Sequence, residues 1–204
     1  MKKWFIPFAI LTLVACNHET VETNEVKQQL ETQEPSIIEM DYSKLEEAIP
    51  NVLQKMNYQI DVLLDKDIQS MELAEFFSVE KTAFRMNVEN EMANVLIHNN
   101  VKQSAEEQVA RYLQAISIAE KKYDVTVSQE EVTAYIDQHI APIEMEEKNR
   151  FASALGISRE ELDYVFDRDF YIMDTLWEKL IPVLQEKHPG LSPEEIKEQF
   201  YNEF

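Results

Sequence analysis

The chain has 204 residues, 39 acidic against 19 basic, for a net charge of −20. A surplus of that size repels nucleic acid phosphates and anionic lipid headgroups, which excludes nucleic acid as a partner and electrostatic adhesion to a bilayer. One cysteine excludes an intramolecular disulfide, and two glycines argue against turn-rich β architecture, so the 45% of apolar residues is expected to form an all-α fold.

Lys2 and Lys3 open the chain, an apolar run follows over residues 4–13, and Leu13-Val14-Ala15-Cys16 closes it. This is the layout of a bacterial lipoprotein signal. The lysines hold the start on the cytoplasmic side, the apolar run engages the membrane, and Ala15 is the small residue a signal peptidase needs before the cysteine. The run is too short to span a bilayer, which takes roughly 20 apolar residues. Residues 1–15 are therefore expected to be a signal peptide. Cys16 becomes the lipidated first residue of the mature chain, anchored on the extracytoplasmic side of the cell membrane. An ordinary secretory signal with a chance cysteine is the competing reading. Cleavage removes two lysines and no acid, leaving 17 basic against 39 acidic residues and a charge of −22. Acyl chains must then overcome the charge, each buried methylene contributing about 0.8 kcal/mol.

Residues 16–36 are rich in Glu, Thr, Gln and Asn and too poor in apolar groups to offset the entropy of ordering, which reads as a flexible tether. A helical domain is expected from residue 37 to 204. Five Ser-x-x-Glu matches, starting at Ser43, Ser104, Ser128, Ser158 and Ser192, read as capping boxes that open helices. Apolar stripes agree. Leu45, Ile49, Val52, Leu53, Met56, Ile60, Leu63 and Leu64 form one, with Pro50 either a kink or the true start. Phe84, Val88, Met92, Val95 and Leu96 form a second. A third runs through Val109, Tyr112, Leu113, Ile116, Ala119 and Tyr123 to a short extended Val125-Thr126-Val127. Val132, Tyr135, Ile136 and Ile140 mark a helix stopped by Pro142. Another passes Phe151 and Leu155 and closes on Gly156, suited to a left-handed cap. Leu162 to Leu180 read as one long helix ending at Pro182, and Ile196, Phe200 and Phe204 belong to the last. About six helices result.

The run Ala119-Glu120-Lys121-Lys122-Tyr123-Asp124-Val125-Thr126-Val127-Ser128-Gln129-Glu130-Glu131-Val132 resembles the N-terminal domain of SurA-type and PrsA-type extracytoplasmic foldases. There a basic helix end passes through a Val-x-Val-Ser link into the next helix. Ala154-Leu155-Gly156-Ile157-Ser158-Arg159-Glu160-Glu161-Leu162, Leu176-Trp177-Glu178-Lys179-Leu180 and Leu191-Ser192-Pro193-Glu194-Glu195-Ile196 are similar to that family's later elements, in the same order. The resemblance covers about residues 105–204. It implies an irregular helical chaperone domain whose partners are unfolded or partly folded secreted proteins. The family's opening Val-Asn-Gly element has no counterpart here, and no parvulin isomerase domain is found before Phe204.

Residues for catalysis do not assemble. Gly-x-Ser-x-Gly, a phosphate-cradling glycine loop and His-Glu-x-x-His are all missing, so neither an enzyme nor a cofactor is expected. His18, His98, His139 and His188 are scattered. The Asp65-Lys66-Asp67 run has Ser70 where a calcium loop needs glycine and Phe76 where it needs glutamate. Glu144, Glu146 and Glu147 read as a solvated helix face. Phe76, Phe77 and Tyr171 fit single stripes poorly and are either core or an exposed patch that meets unfolded chains. Two functions remain: a chaperone-like lipoprotein, and an accessory or regulatory lipoprotein of an envelope complex. Cells fed a tagged fatty acid are expected to label the chain, and Cys16→Ala to abolish the label; labelling that survives the substitution would remove Cys16 as the acceptor.

Overall fold

Ser128, Ser158 and Ser192 each accept from the backbone N–H three residues on, while Glu131, Glu161 and Glu195 reach back to the serine N–H. Three of the five expected capping boxes are thus formed. The computed structural model describes residues 40–64, 67–68, 70–93 and 96–204. Cys16, the signal peptide 1–15, the tether 16–36 and His18 lie outside the described residues, as do the expected domain start at 37, Asp65, Lys66 and Val95.

The other two matches are corrected. Ser43 sits in a 3-10 turn, Tyr42–Lys44, where Asp41 accepts from its N–H and hydroxyl. Ser104 lies inside a helix that starts at Val101, where Asn100 accepts from the Gln103 N–H. Asparagine caps as well as serine does, so the earlier cap wins and adds just over a turn.

The described elements run α1 (Leu45–Met56), α2 (Asp61–Leu64), α3 (Val79–Met92), α4 (Val101–Tyr123), α5 (Gln129–Tyr135), α6 (Glu146–Leu155), α7 (Arg159–Glu161), α8 (Arg168–Lys187) and α9 (Pro193–Tyr201). A 3-10 turn, Leu73–Phe76, precedes α3, and π turns occupy Ile136–Ile140 and Leu162–Phe166. Among the described residues there is no strand, only an isolated antiparallel bridge between Met40 and Ala93. The fold is all-α, with seven helices longer than four residues among the described residues where about six were expected. The segment read as one helix from Leu162 to Pro182 is broken. Its first part is a π turn, the backbone turns at Asp167, and α8 then runs through Pro182 to Lys187. Pro50 likewise lies within α1. A proline removes one backbone donor, and both prolines face solvent, where water can take the orphaned carbonyl.

Three apolar cores result among the described residues, the smallest formed by Ala83 and Met86 of α3 with Ala105 of α4, against which Met56, Val79 and Val101 pack. Ile172, Leu176, Leu180 and Leu184 of α8 pack with Phe200 of α9, and with Phe76 before α3. Ile49 and Val52 of α1 pack with Phe84 of α3, Leu155 of α6 and Phe166 of the second π turn. Phe76, Phe77 and Tyr171 are all buried, so they belong to the core and not to an exposed patch. Gly156 ends α6 at φ 76°, the left-handed cap expected of it. Ser128→Ala and Ser192→Ala are each expected to lower stability by about 1 kcal/mol in urea unfolding. Ser104→Ala should change it little; an equal loss there would contradict these helix starts.

Candidate functional site

Helix α3 turns two chemically different faces to its surroundings, and between them they shape the site. Its inward stripe begins with Lys81 and Arg85 before passing to Val88 and Met92. Lys81 is 0% exposed. Opposite these cations, the break at Asp167 removes the helical partner of the Phe166 carbonyl, because the Phe170 N–H donates to Asp167 instead. Lys81 Nζ donates to that carbonyl at 3.0 Å and Arg85 Nη2 at 2.6 Å.

Carboxylates complete the cluster. Arg85 holds Asp169 with two parallel bonds, 2.7 Å from Nη1 and 3.0 Å from Nη2, and reaches Asp167 at 3.0 Å. Lys81 Nζ lies 3.1 Å from Asp169. Lys148 of α6 donates to Asp163 and to the Tyr171 hydroxyl, with Asp167 at 3.6 Å, and Arg159 Nε donates to Asp163 at 2.5 Å. Arg85 also stacks over Phe170 with its guanidinium carbon 4.0 Å from the ring centroid. One network thus pins α3, α6, the second π turn and α8. The two hollows along α3 are not lined by its cations or carboxylates.

The titration of these groups follows from their surroundings. Burial pushes the Asp169 carboxyl up, but Arg85 and Lys81 outweigh it and hold the group below the usual carboxylate range. Its stabilising contribution is complete above about pH 4 and is lost as pH falls through the lowered folded value. At Lys81 the balance reverses: burial outweighs Asp169 and brings the amine down to about 8.

The opposite face of α3 is only partly covered: Ala83 packs with Met86 and with Ala105 of α4, while Val79, Asn87 and Glu91 stay half-buried. Val79, Ala83, Asn87 and Glu91 succeed one another along it at one-turn spacing. Val52, Lys55 and Met56 from the end of α1 stand on one side, and Leu96, Val101 and Lys102 at the approach to α4 on the other. They line two hollows of about 350 and 230 Å³ that follow one another as a groove interrupted where Asn87 meets Met56. Leu96 is 63% exposed, the most exposed large apolar side chain among the described residues. It had been expected on the α3 stripe, but α3 ends at Met92.

The polar groups of the groove are already engaged. Asn87 Nδ2 donates to the Ala83 carbonyl at 2.9 Å and meets Met56 Sδ at 3.3 Å. Asn90 Oδ1 accepts from the Ile97 and His98 N–H groups at 3.0 and 2.8 Å, and its Nδ2 donates to the His98 carbonyl at 3.0 Å. Lys55 pairs with Glu91 across the groove's edge. What remains available is apolar surface, with a methionine thioether that adapts its shape to what it meets.

The histidines do not converge. His98 pairs with Glu89 at 2.8 Å, His139 stacks on Tyr135 with centroids 4.8 Å apart, and His188 ends α8. Glu144, Glu146 and Glu147 are exposed. Among the described residues no group of three or more His, Cys, Asp or Glu side chains could hold a metal ion, and no helix is long and apolar enough to cross a membrane. The ionic cluster went unread in the sequence, although a signal was present. Lys81 and Arg85 share a helical face with Val88 and Met92, and Asp163, Asp167 and Asp169 interrupt an otherwise apolar stretch.

No protein-family model matches the chain, and neither a curated protein nor a solved structure matches it. Asp169→Asn is expected to cost about 3–5 kcal/mol in urea unfolding, because it leaves two buried cations undercompensated. Lys81→Met should cost far less, since Arg85 still satisfies both Asp169 and the Phe166 carbonyl; equal losses would contradict this division of roles.

Proposed function

We propose that the chain is a lipoprotein, held on the extracytoplasmic face of the cell membrane by lipid on Cys16, that binds unfolded or partly folded secreted proteins without catalysing a reaction on them. The observation that carries this reading is the groove along α3. Half-buried Met56, Val79 and Val101 and exposed Leu96 line it over a buried Ala83, and its Asn87 and Asn90 side chains are hydrogen-bonded. Such a surface takes up apolar side chains with little demand for their sequence, which suits clients that share only exposed apolar segments. The net charge of −20 keeps a complex soluble and favours basic clients. The likeness of residues 105–204 to the SurA-type and PrsA-type chaperone domain points the same way, although the groove itself lies mostly before that stretch.

The test is aggregation of several unrelated denatured proteins, followed by light scattering, with the full chain present at equal concentration. Suppression across the set is expected, reduced at least several-fold by the pair Leu96→Ser and Val101→Ser while circular dichroism stays unchanged. No suppression of any protein, together with one partner retained stoichiometrically from the envelope, would replace this reading with the accessory role.

A further inference from the structure

We infer that Ile37 and Ile38 are the resident occupant of the groove at Leu96, extending the Met40–Ala93 bridge into a short antiparallel strand pair that a client must displace. The displacement rests on the binding role proposed above, whereas the pairing stands on the backbone alone. Met40, the first described residue, faces Ala93 just past the end of α3, and the Asp41 N–H donates to the Met92 carbonyl at 2.9 Å. In an antiparallel pair each step back along one strand is a step forward along the other. Three residues before Met40 is Ile37, and three beyond Ala93 is Leu96. The register therefore sets Ile37 against Leu96.

The hydrogen bonding of Leu96 fits that register. Bonded pairs recur at every second residue of an antiparallel ladder. Ile37 lies four residues from Asp41 and Leu96 four from Met92, where a bond already stands, so the two fall on a pair that exchanges both N–H···O contacts. Among the described residues neither the N–H nor the C=O of Leu96 has a partner, although the next two N–H groups, of Ile97 and His98, both go to Asn90 Oδ1. The two groups that the register calls for are the ones left over.

Side chains agree with the backbone. Successive residues of a strand point to opposite faces. Met40 packs on the core formed by α1, α3 and α6, and Ala93 is buried beside it. Ile37 and Leu96, an odd number of residues away, then belong to the outer face, where Leu96 is 63% exposed. Ile37 laid over Leu96 removes apolar surface of both from water. Composition singles out the same segment, because Ile37-Ile38 is the only pair of adjacent aliphatic residues between Cys16 and Met40, and β-branched side chains favour extended backbone. Leu96 also lines the second hollow beside Val52 and Met56, so cover on Leu96 is cover on that end of the groove. A ladder this short is marginal in water and yields to a longer apolar segment.

The test uses the full chain carrying Cys16→Ser, so that introduced thiols are the only ones. With oxidised glutathione, Ile37→Cys/Leu96→Cys should close its disulfide at least about tenfold faster than Ile38→Cys/Leu96→Cys, because facing residues come within bridging range on one side of the ladder and position 38 points to the other. Equal rates would overturn the pairing. Closing the Ile37→Cys/Leu96→Cys disulfide should lower the suppression of aggregation of denatured proteins several-fold, and reduction should restore it. Ile37→Ser, with Leu96 intact, should raise suppression several-fold. A chain that suppresses aggregation equally in all these forms would overturn the strap as a gate on clients. If the rates are equal and suppression persists, the inference falls while the client-binding role stands; if the disulfide closes in register and no form suppresses aggregation, the client-binding role falls and the pairing stands.

Discussion

The bidentate contact between Arg85 and Asp169 is the interaction from which the rest of the domain takes its geometry. It joins α3 to the first turn of α8, helices 84 residues apart in sequence, at a point where the chain has just broken helical continuity. A bare break would leave the Phe166 carbonyl buried and unpaired. Lys81 and Arg85 fill that vacancy, and Asp167 and Asp169 balance their charge. Buried ion pairs contribute little net stability compared with apolar packing of the same volume, but losing one partner is costly because the other is left unpaired. Their yield here is definition. Other rotations of α3 would leave cations without carboxylates, whereas an all-apolar α3 would have several near-equivalent ways to lie.

That orientation has a consequence on the far side of the helix. With Lys81, Arg85, Val88 and Met92 held inward, Val79, Ala83 and Asn87 turn toward the end of α1 and the start of α4, where Ala83 is buried with Ala105. The groove is thus the reverse side of the ionic cluster. A surface meant to take up varied apolar segments gains from such a fixed floor, because less ordering entropy remains to be lost when a segment docks. Adaptability is left to the rim, where Met56 and Leu96 can rearrange.

Much of the helical framework could be read from residue patterns. Ser128, Ser158 and Ser192 opened helices because a glutamate three residues on satisfied their own N–H groups, and Gly156 closed one because its backbone tolerates positive φ. Local rules failed where a tertiary partner decided the outcome. Ser104 lost to Asn100, a cap of equal strength placed earlier. The break at Asp167 was invisible to apolar periodicity, since Leu162, Phe166 and Phe170 keep helical spacing across it; only the cations of α3 explain why the chain can leave the helix there. Pro182 was read as a stop, yet it faces water on α8 and is carried through. The groove was hidden for the same reason. Met56 and Leu96 were assigned to buried stripes, and nothing local tells an apolar residue that lines an open valley from one in a closed core.

Photo-crosslinking separates the groove from the rest of the surface most directly. Leu96, at the groove, and Ile143, in the turn before α6, are both exposed apolar side chains, at 63% and 40%. A benzophenone amino acid placed at each in turn, with a denatured client added and then irradiated, asks where the client sits. Adducts from position 96 and few from position 143 are the expected result. Equal yields at the two positions, or adducts from 143 alone, would contradict a binding role for the α3 groove.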